Sequence, residues 1–200
     1  MKLKGIDIGA PEIIGSSTET STGFDVVAGG ADIWGSNDQF HFVCTSFTGD
    51  FDLRVRVQSA ELTHPYTKIG VMVRADLQAD AVHFMQWVFP DNRARNNNSG
   101  GYEAQYRQTK GGVCVALYPP KKGALPPEFP VDFPHVWLRV VRKANVFTGW
   151  ASMEGEHWTV YTQTELPLPQ SAFVGLAVTS HDAHTPTHVQ FRDFQIMELD

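Results

Sequence analysis

The sequence predicts an all-β protein, a jelly-roll β-sandwich of two antiparallel sheets, and three observations support this. About a dozen short apolar or alternating runs are separated by regular turn signals. The 17 glycines and 12 prolines supply those turns, while 13 phenylalanines and five tryptophans suit pleated surfaces. No convincing long amphipathic helix is visible. Two hundred residues fit one such domain, so we expect a single domain over residues 1–200.

Two runs predict neighbouring strands in the middle of a sheet. The first, Gly70–Arg74, is apolar, too short for a helix, and ends on the charge of its arginine. The second covers Ala81–Phe89 and ends at the turn signal Pro90-Asp91-Asn92. The polar members of both runs are expected on or beside one sheet surface: Arg74, His83, Gln86 and Trp87.

The clearest alternation lies in Phe51–Val57, where apolar residues point inward and Asp52, Arg54 and Arg56 point outward. We expect further strands at Lys2–Ile8, Phe24–Val27, Gln39–Phe47, Tyr102–Thr109, Val113–Tyr118, Val136–Arg142, Asn145–Ser152, Trp158–Thr164, Phe173–Thr179 and Val189–Leu199. Loops are expected at residues 15–23 and 93–101. The proline-rich residues 119–134 predict an extended surface crossing.

Composition argues against several classes of partner. A net charge of −6 and an isoelectric point near 5.7 are not those of a nucleic-acid binder. No apolar run of about 18 residues exists, so a membrane partner is not expected. The first residues lack the apolar core of a signal peptide, which predicts a cytoplasmic protein as given, or an extracellular one if a signal was removed. Cys44 and Cys114 lie in apolar, strand-like surroundings and are expected to be buried free thiols, although pairing stays open.

Several motifs occur in a recognisable order. They are Ala31-Asp32-Ile33-Trp34-Gly35, Gly70-Val71-Met72-Val73-Arg74, Gln105-Tyr106-Arg107, Trp137-Leu138-Arg139, and the run from Gly175 to His181. From Asp7 to Phe194 this order resembles the DUF1349-like (regulation-of-enolase-type) domains of the concanavalin A-like lectin/glucanase superfamily. Such domains occur largely in extracellular bacterial proteins that handle carbohydrate. The resemblance implies two curved sheets with a ligand surface on the concave one, and hence a carbohydrate ligand.

Sugar binding uses an aromatic ring that stacks on the pyranose and polar side chains that hydrogen-bond its hydroxyls. The expected ligand-binding residues are Asp32, Trp34, Arg74, His83, Gln86, Trp87, Gln105, Arg107 and His181. Tyr102, Tyr106 and Trp150 are further candidate platforms. Burial is the competing interpretation, because large aromatic residues are mostly buried. We expect Trp137 and Trp158 in the core, and we slightly favour a structural role for Arg74, paired with an acid such as Asp32.

Catalytic carboxylates are not evident. Retaining hydrolysis needs two carboxylates about 5 Å apart, and the Glu-x-Asp-x-x-Glu strand motif of many glucanases is missing. We therefore expect no catalytic residues and a binding rather than an enzymatic role. Two alternatives stay open. One is a hydrolase or lyase of modified sugars such as 3-keto-glycosides, using His and Arg residues. The other is a structural or protein-interaction domain, favoured if the loops at 93–101 and 119–134 fill the concave face.

Metal sites have weak support. His181, His184 and His188 have a spacing that zinc could use, but spacing on a turn is unspecific, so no metal is expected there. Calcium is an alternative cofactor through loop carboxylates, for which these aspartates are available: Asp7, Asp32, Asp50, Asp182 and Asp193. An exposed edge strand could also pair with a second copy, so a homodimer is open.

Overall fold

The computed structural model describes residues 2–95, 101–119 and 129–199, and within these ranges all regular structure is β. The strands are β1 Lys4–Ile8, β2 Ser16–Glu19, β3 Phe24–Gly30, β4 Ile33–Trp34, β5 Asn37–Asp38, β6 Phe40–Thr48, β7 Phe51–Ala60, β8 Lys68–Arg74, β9 His83–Val88, β10 Tyr102–Arg107, β11 Val115–Leu117, β12 Val136–Lys143, β13 Val146–Ser152, β14 Thr159–Glu165, β15 Ser171–Thr179 and β16 Asp182–Glu198. No helix long and apolar enough to cross a membrane occurs among the described residues.

Two seven-stranded antiparallel sheets make the sandwich. The first sheet has the order β1-β6-β15-β8-β9-β10-β11, and the second has the order β14-β13-β12-β7-β16-β3-β2. A short hairpin of β4 and β5 stands apart from both. The predicted fold class, an all-β jelly-roll sandwich, is confirmed.

The main core lies between the sheets. In β7, Leu53, Val55 and Val57 are buried, while the residues between them are half-exposed on the outer surface. The facing strand β8 contributes Val71 and Val73 to the same core. Alternation places every second residue on one face, so the pattern read in the sequence fixes which side chains meet between the sheets.

The central strands β8 and β9 of the first sheet are buried on both faces, whereas the second sheet has a solvated outer face. Every residue of β8 and β9 is buried. Met72, Met85 and Trp87 join a second apolar cluster on the outer face, together with Ile33 from the β4–β5 hairpin. The segment from residue 31 to residue 38 therefore covers this face as a third layer. Double burial explains why these two strands read as continuous apolar runs rather than alternating ones.

Two local expectations were wrong. Residues 16–19 form an edge strand, although a loop was expected at 15–23, because a short solvent-facing strand needs no apolar alternation. Trp137 and Trp158 are half-exposed on the outer face of the second sheet, not in the core. Trp137 lies between the buried Val136 and Leu138, so alternation forces its ring outward. The two rings pack edge to face with centroids 6.3 Å apart.

Both cysteines are free and buried, as expected. Burial raises the pKa of the Cys44 thiol to about 12 and that of Cys114 to about 11. Thiols in such surroundings are unreactive at neutral pH. The expected loop 93–101 and crossing 119–134 fall largely on residues 96–100 and 120–128, which lie outside the described residues.

Candidate functional site

The outer face of the first sheet carries two clusters of charged residues. One cluster is sealed from solvent, and the other is partly open to it. The sealed cluster joins Asp38, at the end of the β4–β5 hairpin, to Arg74 and Arg107 on the sheet. Arg107 donates to both oxygens of Asp38, at 2.6 and 2.9 Å, and Arg74 Nη1 lies 3.4 Å from Oδ2. All three side chains are fully buried. A buried carboxylate needs such partners because desolvation of an unpaired charge is costly.

The remaining donors of the two arginines bind backbone carbonyls. Arg74 Nε donates to the carbonyl of Asp76 at 2.8 Å, and Arg107 donates to the carbonyls of Gly112 at 2.9 Å and Gly35 at 3.1 Å. The guanidinium groups thus fasten three chain segments onto the sheet. Arg74 has the structural role favoured from the sequence, but its partner is Asp38 rather than Asp32.

His83 is fully buried beside this cluster. The Gln105 amide lies 3.0 Å from His83 Nε2, and Nδ1 lies 3.3 Å from the carbonyl of Ala81. Burial lowers the pKa of His83 well below its ordinary value, and the charges of Arg74 and Arg107 lower it further. The imidazole is therefore neutral at physiological pH, with Gln105 donating to Nε2 and Nδ1 donating to the carbonyl.

Asp38, His83 and Cys114 bring ligand atoms within 4.8 Å of one another, a spacing that a metal ion could use. The carboxylate oxygens of Asp38 are already bound by Arg107 and Arg74. A cation placed there would face two buried guanidinium groups, so the electrostatics oppose it. The other such group in the described ranges, Glu154, Glu156 and His157, is an exposed turn.

The half-open cluster is called here the Asp32 cluster. Its members are Asp32, Trp34, His64, Tyr66, Lys68 and His181. Asp32 is its centre: Oδ1 accepts from Lys68 Nζ at 2.9 Å, and Oδ2 lies 3.3 Å from His181 Nε2. The carboxylate thus joins the start of β8 to the turn between β15 and β16.

Lys68 lies at the floor of the Asp32 cluster with its side chain only 5% exposed. Its ammonium also donates to the carbonyl of Ile33 at 2.7 Å. It lies 5.1 Å from the ring centroid of Trp34 and 5.0 Å from that of Trp87, within cation–π range. Trp87 is fully buried beneath it, but Trp34 is 40% exposed. The Asp32 cluster therefore offers solvent an aromatic surface beside an anion and a cation.

Two histidines form one wall of the Asp32 cluster. The rings of His64 and His181 are stacked, with centroids 4.4 Å apart and planes 6° from parallel. Tyr66 adds a third ring 5.6 Å from His181. His181 has a φ of +57°, in the left-handed region that residues other than glycine seldom adopt. Such backbone strain is concentrated at functional sites.

The charges of the Asp32 cluster are set by their neighbours. Burial raises the pKa of Asp32, but the hydrogen bond from His181 and the charge of Lys68 outweigh it, so that pKa lies below its ordinary value. Desolvation and the neighbouring His181 lower the pKa of His64, against the charges of Asp182 and Asp32. At neutral pH the Asp32 cluster thus presents an ionised carboxylate, an ammonium and a neutral His64.

The nine residues expected to bind ligand are therefore divided. Asp32, Trp34 and His181 meet in the Asp32 cluster. The others are buried: Arg74, His83, Trp87, Gln105 and Arg107 lie beneath the covering hairpin, and Gln86 lies on the other face of the sheet. Placing Gln86 with Trp87 on one surface was wrong, because adjacent residues of a strand point to opposite faces. Gln86 Nε2 instead donates to the carbonyl of Trp150 at 3.0 Å, between the sheets.

Sequence reasoning missed His64, Tyr66 and Lys68. The signal for Lys68 was present, since it shares the period-two parity of Arg74 on the same strand. Of the other expected platforms, Tyr102 is buried between the sheets, where its hydroxyl donates to the carbonyl of Trp137 at 3.2 Å. Trp150 lies on the second sheet, its ring centroid 5.5 Å from the Arg139 guanidinium.

The residues considered as metal ligands do not gather among the described residues. His184 pairs with Glu12 at 3.1 Å rather than with His181 or His188. The aspartates considered for calcium have separate partners. Asp7 binds the side chain of His41, and Asp193 binds the side chain of Arg56. Asp50 accepts from the backbone amide of Ala144, and Asp182 accepts from the backbone amide of His184.

Comparison with solved structures identifies the architecture. A functionally unknown protein from Saccharomyces cerevisiae superposes with a TM-score of 0.70 at 15% identity, over 99% of this chain and 97% of that one. The carbohydrate-binding module CBM66 from Bacillus subtilis follows, with a TM-score of 0.58 at 12% identity, over 97% and 95%. The fold is a concanavalin A-like lectin-type sandwich. The exoplasmic/lumenal domain of VIP36, solved with Ca²⁺ and Man3GlcNAc, shares this sandwich with a TM-score of 0.55 at 12% identity, over 94% and 82%. No family model and no curated protein matches the sequence.

The stacked histidines predict a pH dependence of any ligand bound at the Asp32 cluster. The folded-state pKa of His64 lies below its ordinary value of 6.5, so protonation begins below that pH and places charge against His181. We expect affinity to be constant above pH 7 and to fall on acidification from pH 6.5. Asp32 stays ionised over this range, because its pKa lies below 3.8.

Calorimetric titrations at pH 7.5 and 5.5 measure this effect. His64→Phe is the matched control, because it keeps a planar ring in the stack but cannot be protonated. Its affinity should vary less with pH than that of the natural protein. An equal fall in both proteins would show that His64 is not the titrating group.

Proposed function

We propose that the protein binds carbohydrate at the Asp32 cluster without catalysing a reaction there, as a β-sandwich domain spanning residues 1–200. One observation supports this most: the half-exposed ring of Trp34 lies beside an ionised carboxylate and a buried ammonium. An indole face stacks on the apolar face of a pyranose, while Asp32 and the Nδ1 atom of His181 can accept hydrogen bonds from sugar hydroxyls. Small-ligand sites combine aromatic side chains with a few polar groups that fix the orientation of the ligand.

The comparisons support the same class of ligand. CBM66 is a carbohydrate-binding module, and the VIP36 domain was solved with mannose-containing glycans. We also propose that the chain is a DUF1349-like domain of the concanavalin A-like superfamily. Calcium enters the proposal only as an ion to be tested, since VIP36 was solved with and without it.

A glycan-array screen of the full chain, run with calcium and again with a chelator, tests the proposal. We expect a specific hit whose affinity falls about tenfold in Trp34→Ala, which loses a stacking surface of about 1–2 kcal/mol. The matched control is Trp150→Ala, a half-exposed tryptophan on the second sheet, which should bind as the natural protein does. A blank array under both conditions, or equal losses in the two variants, would refute binding at the Asp32 cluster. Loss of the hit with chelator would add calcium to it.

One observation favours a second candidate, sugar processing by general acid–base catalysis. Asp32 orients His181 at 3.3 Å, and a carboxylate–imidazole pair is a common proton-transfer unit. Incubation with 3-keto-glycosides and other modified sugars, followed by product analysis, separates the two. Turnover lost in His181→Gln would favour catalysis, and binding without turnover would favour the lectin-like role.

The third interpretation is a structural or protein-interaction domain, which would need the outer face of the first sheet to be filled. Only part of that face is filled. Residues 31–38 and the loop after β8 cover Arg74, His83 and Arg107, so that part is filled. Trp34 and His181 keep the Asp32 cluster partly open to solvent, which is why we place ligand binding there.

A further inference from the structure

A second polar cluster lies where the edges of the two sheets approach each other. Asp7 is on β1, the edge strand of the first sheet, and stands opposite His41 of β6 in the register. Ser17 is on β2, the edge strand of the second sheet. None of these residues belongs to the Asp32 cluster or contributes to the function proposed for it.

Asp7 fixes the orientation and tautomer of His41. Asp7 Oδ1 lies 2.7 Å from His41 Nδ1, and the backbone amide of Gly15 donates to the same carboxylate at 3.0 and 3.2 Å. An ionised carboxylate can only accept hydrogen bonds, so Nδ1 of a neutral His41 must carry the proton. Nε2 is then a bare lone pair, which is the form of a general base.

That lone pair has no partner in the described part of the chain. His41 is 3% exposed, and its Nε2 atom is buried without a hydrogen bond. Buried polar atoms are rarely left so, and each such case calls for an explanation. One explanation is that Nε2 acts as a general base and accepts a proton only when a reaction brings a donor to it.

Ser17 is placed to be that donor. A Cβ atom added to Gly5 would stand 2.4 Å from Ser17 Oγ and 2.7 Å from His41 Nε2, so both atoms converge on the space above this glycine. A Cβ on Gly15 would stand 2.3 Å from His41 Nδ1. Gly5 thus permits the close approach of the imidazole and the hydroxyl, and Gly15 permits the close packing of its backbone against the His41–Asp7 pair. Ser17 is half-buried on an edge strand and so can be reached from solvent.

We propose that Ser17, His41 and Asp7 form a nucleophile, a base and a positioning residue for the hydrolysis of small acyl esters. Ser17 Oγ bonds to the ester carbonyl carbon while its proton passes to His41 Nε2. The carbon–alkoxide bond then breaks, and the alcohol leaves with that proton. Water repeats the sequence on the acyl-serine, releasing the carboxylic acid and restoring the hydroxyl. The hydrogen bonds to Asp7 hold the imidazole in the required tautomer throughout.

A fluorescent fluorophosphonate probe tests the nucleophile directly on the full chain. We expect a covalent adduct on Ser17, located by peptide mass spectrometry, together with hydrolysis of p-nitrophenyl acetate. Ser17→Ala should abolish both. Ser16→Ala is the matched control, an exposed serine of the same strand, and should keep both. Labelling elsewhere with Ser17 unmodified would overturn the proposal.

The base and the positioning residue need separate readouts. His41→Gln should slow labelling about 100-fold, since general-base catalysis contributes at least that much. If that variant fails to fold, Asp7→Asn serves instead: its amide would donate to Nδ1 and invert the tautomer. The pH profile of the labelling rate should then differ from that of the natural protein, which a merely structural loss would not cause. An unchanged pH profile would contradict the role of Asp7.

Glycan binding at the Asp32 cluster should be unaffected in Ser17→Ala, so failure of the esterase proposal can be told apart from failure of the carbohydrate-binding proposal.

Discussion

Replacing Asp38 with asparagine is expected to lower the free energy of unfolding by about 3–5 kcal/mol. Asp38 neutralises two fully buried guanidinium groups, those of Arg107 and Arg74. Asparagine keeps the shape but leaves both cations without a counter-charge in a desolvated site. Breaking one side of a buried ion pair is among the few single substitutions with so large an effect.

Urea unfolding followed by tryptophan fluorescence measures the change, with an unchanged m-value as the criterion that the folded state is intact. Asp193→Asn is the matched control. It removes a carboxylate bound to Arg56 at 2.7 Å whose side chain is 35% exposed, and such pairs contribute under about 1 kcal/mol. Similar losses in the two variants would mean that the Asp38 cluster is not sealed from water.

Lys68→Met is expected to weaken carbohydrate binding by about 30-fold or more. Breaking a buried ion pair within a chain costs about 3–5 kcal/mol of folding free energy. We expect about 2 kcal/mol to appear as lost preorganisation of the binding surface, which is about 30-fold in affinity. Lys68 binds Asp32 and Ile33 together and lies beside Trp34, so its loss frees both the carboxylate and the stacking ring. Methionine keeps most of the side-chain volume, which limits the effect on packing.

Calorimetry with the best glycan from the array provides the measurement. The control is Lys110→Met, an exposed lysine whose contacts with Asp76 and Asp80 are 3.4 and 3.6 Å long. It should bind as the natural protein does. Undiminished affinity in a folded Lys68→Met variant would move the binding surface away from the Asp32 cluster.

The fold could be read from the sequence because alternation and turn signals are local. Phe51–Val57 shows inward and outward residues in strict order, and the strand there begins at the predicted residue. Where a strand is buried on both faces, alternation is lost. This is why Gln86 and Trp87 were assigned to one surface although they point to opposite ones.

The site was predictable only in part because it depends on contacts between distant segments. Asp32, Trp34 and His181 could be singled out as residue types, yet nothing local shows that Asp38 would bind Arg107 across 69 positions. That ion pair decides which part of the face is covered. The stacking of His64 on His181 likewise follows from two turns that meet only in the folded chain.

The covering segment from residue 31 to residue 38 has one more consequence. Its Asp38 end is fastened by two arginines, while Asp32 and Trp34 belong to the part that would face the proposed ligand. Recognition loops on β-sandwiches commonly lose conformational entropy when a ligand orders them, and this loss weakens affinity. Here that entropy is already lost when the chain folds. The same buried charges that hold the structure together therefore preorganise the surface on which a sugar would rest.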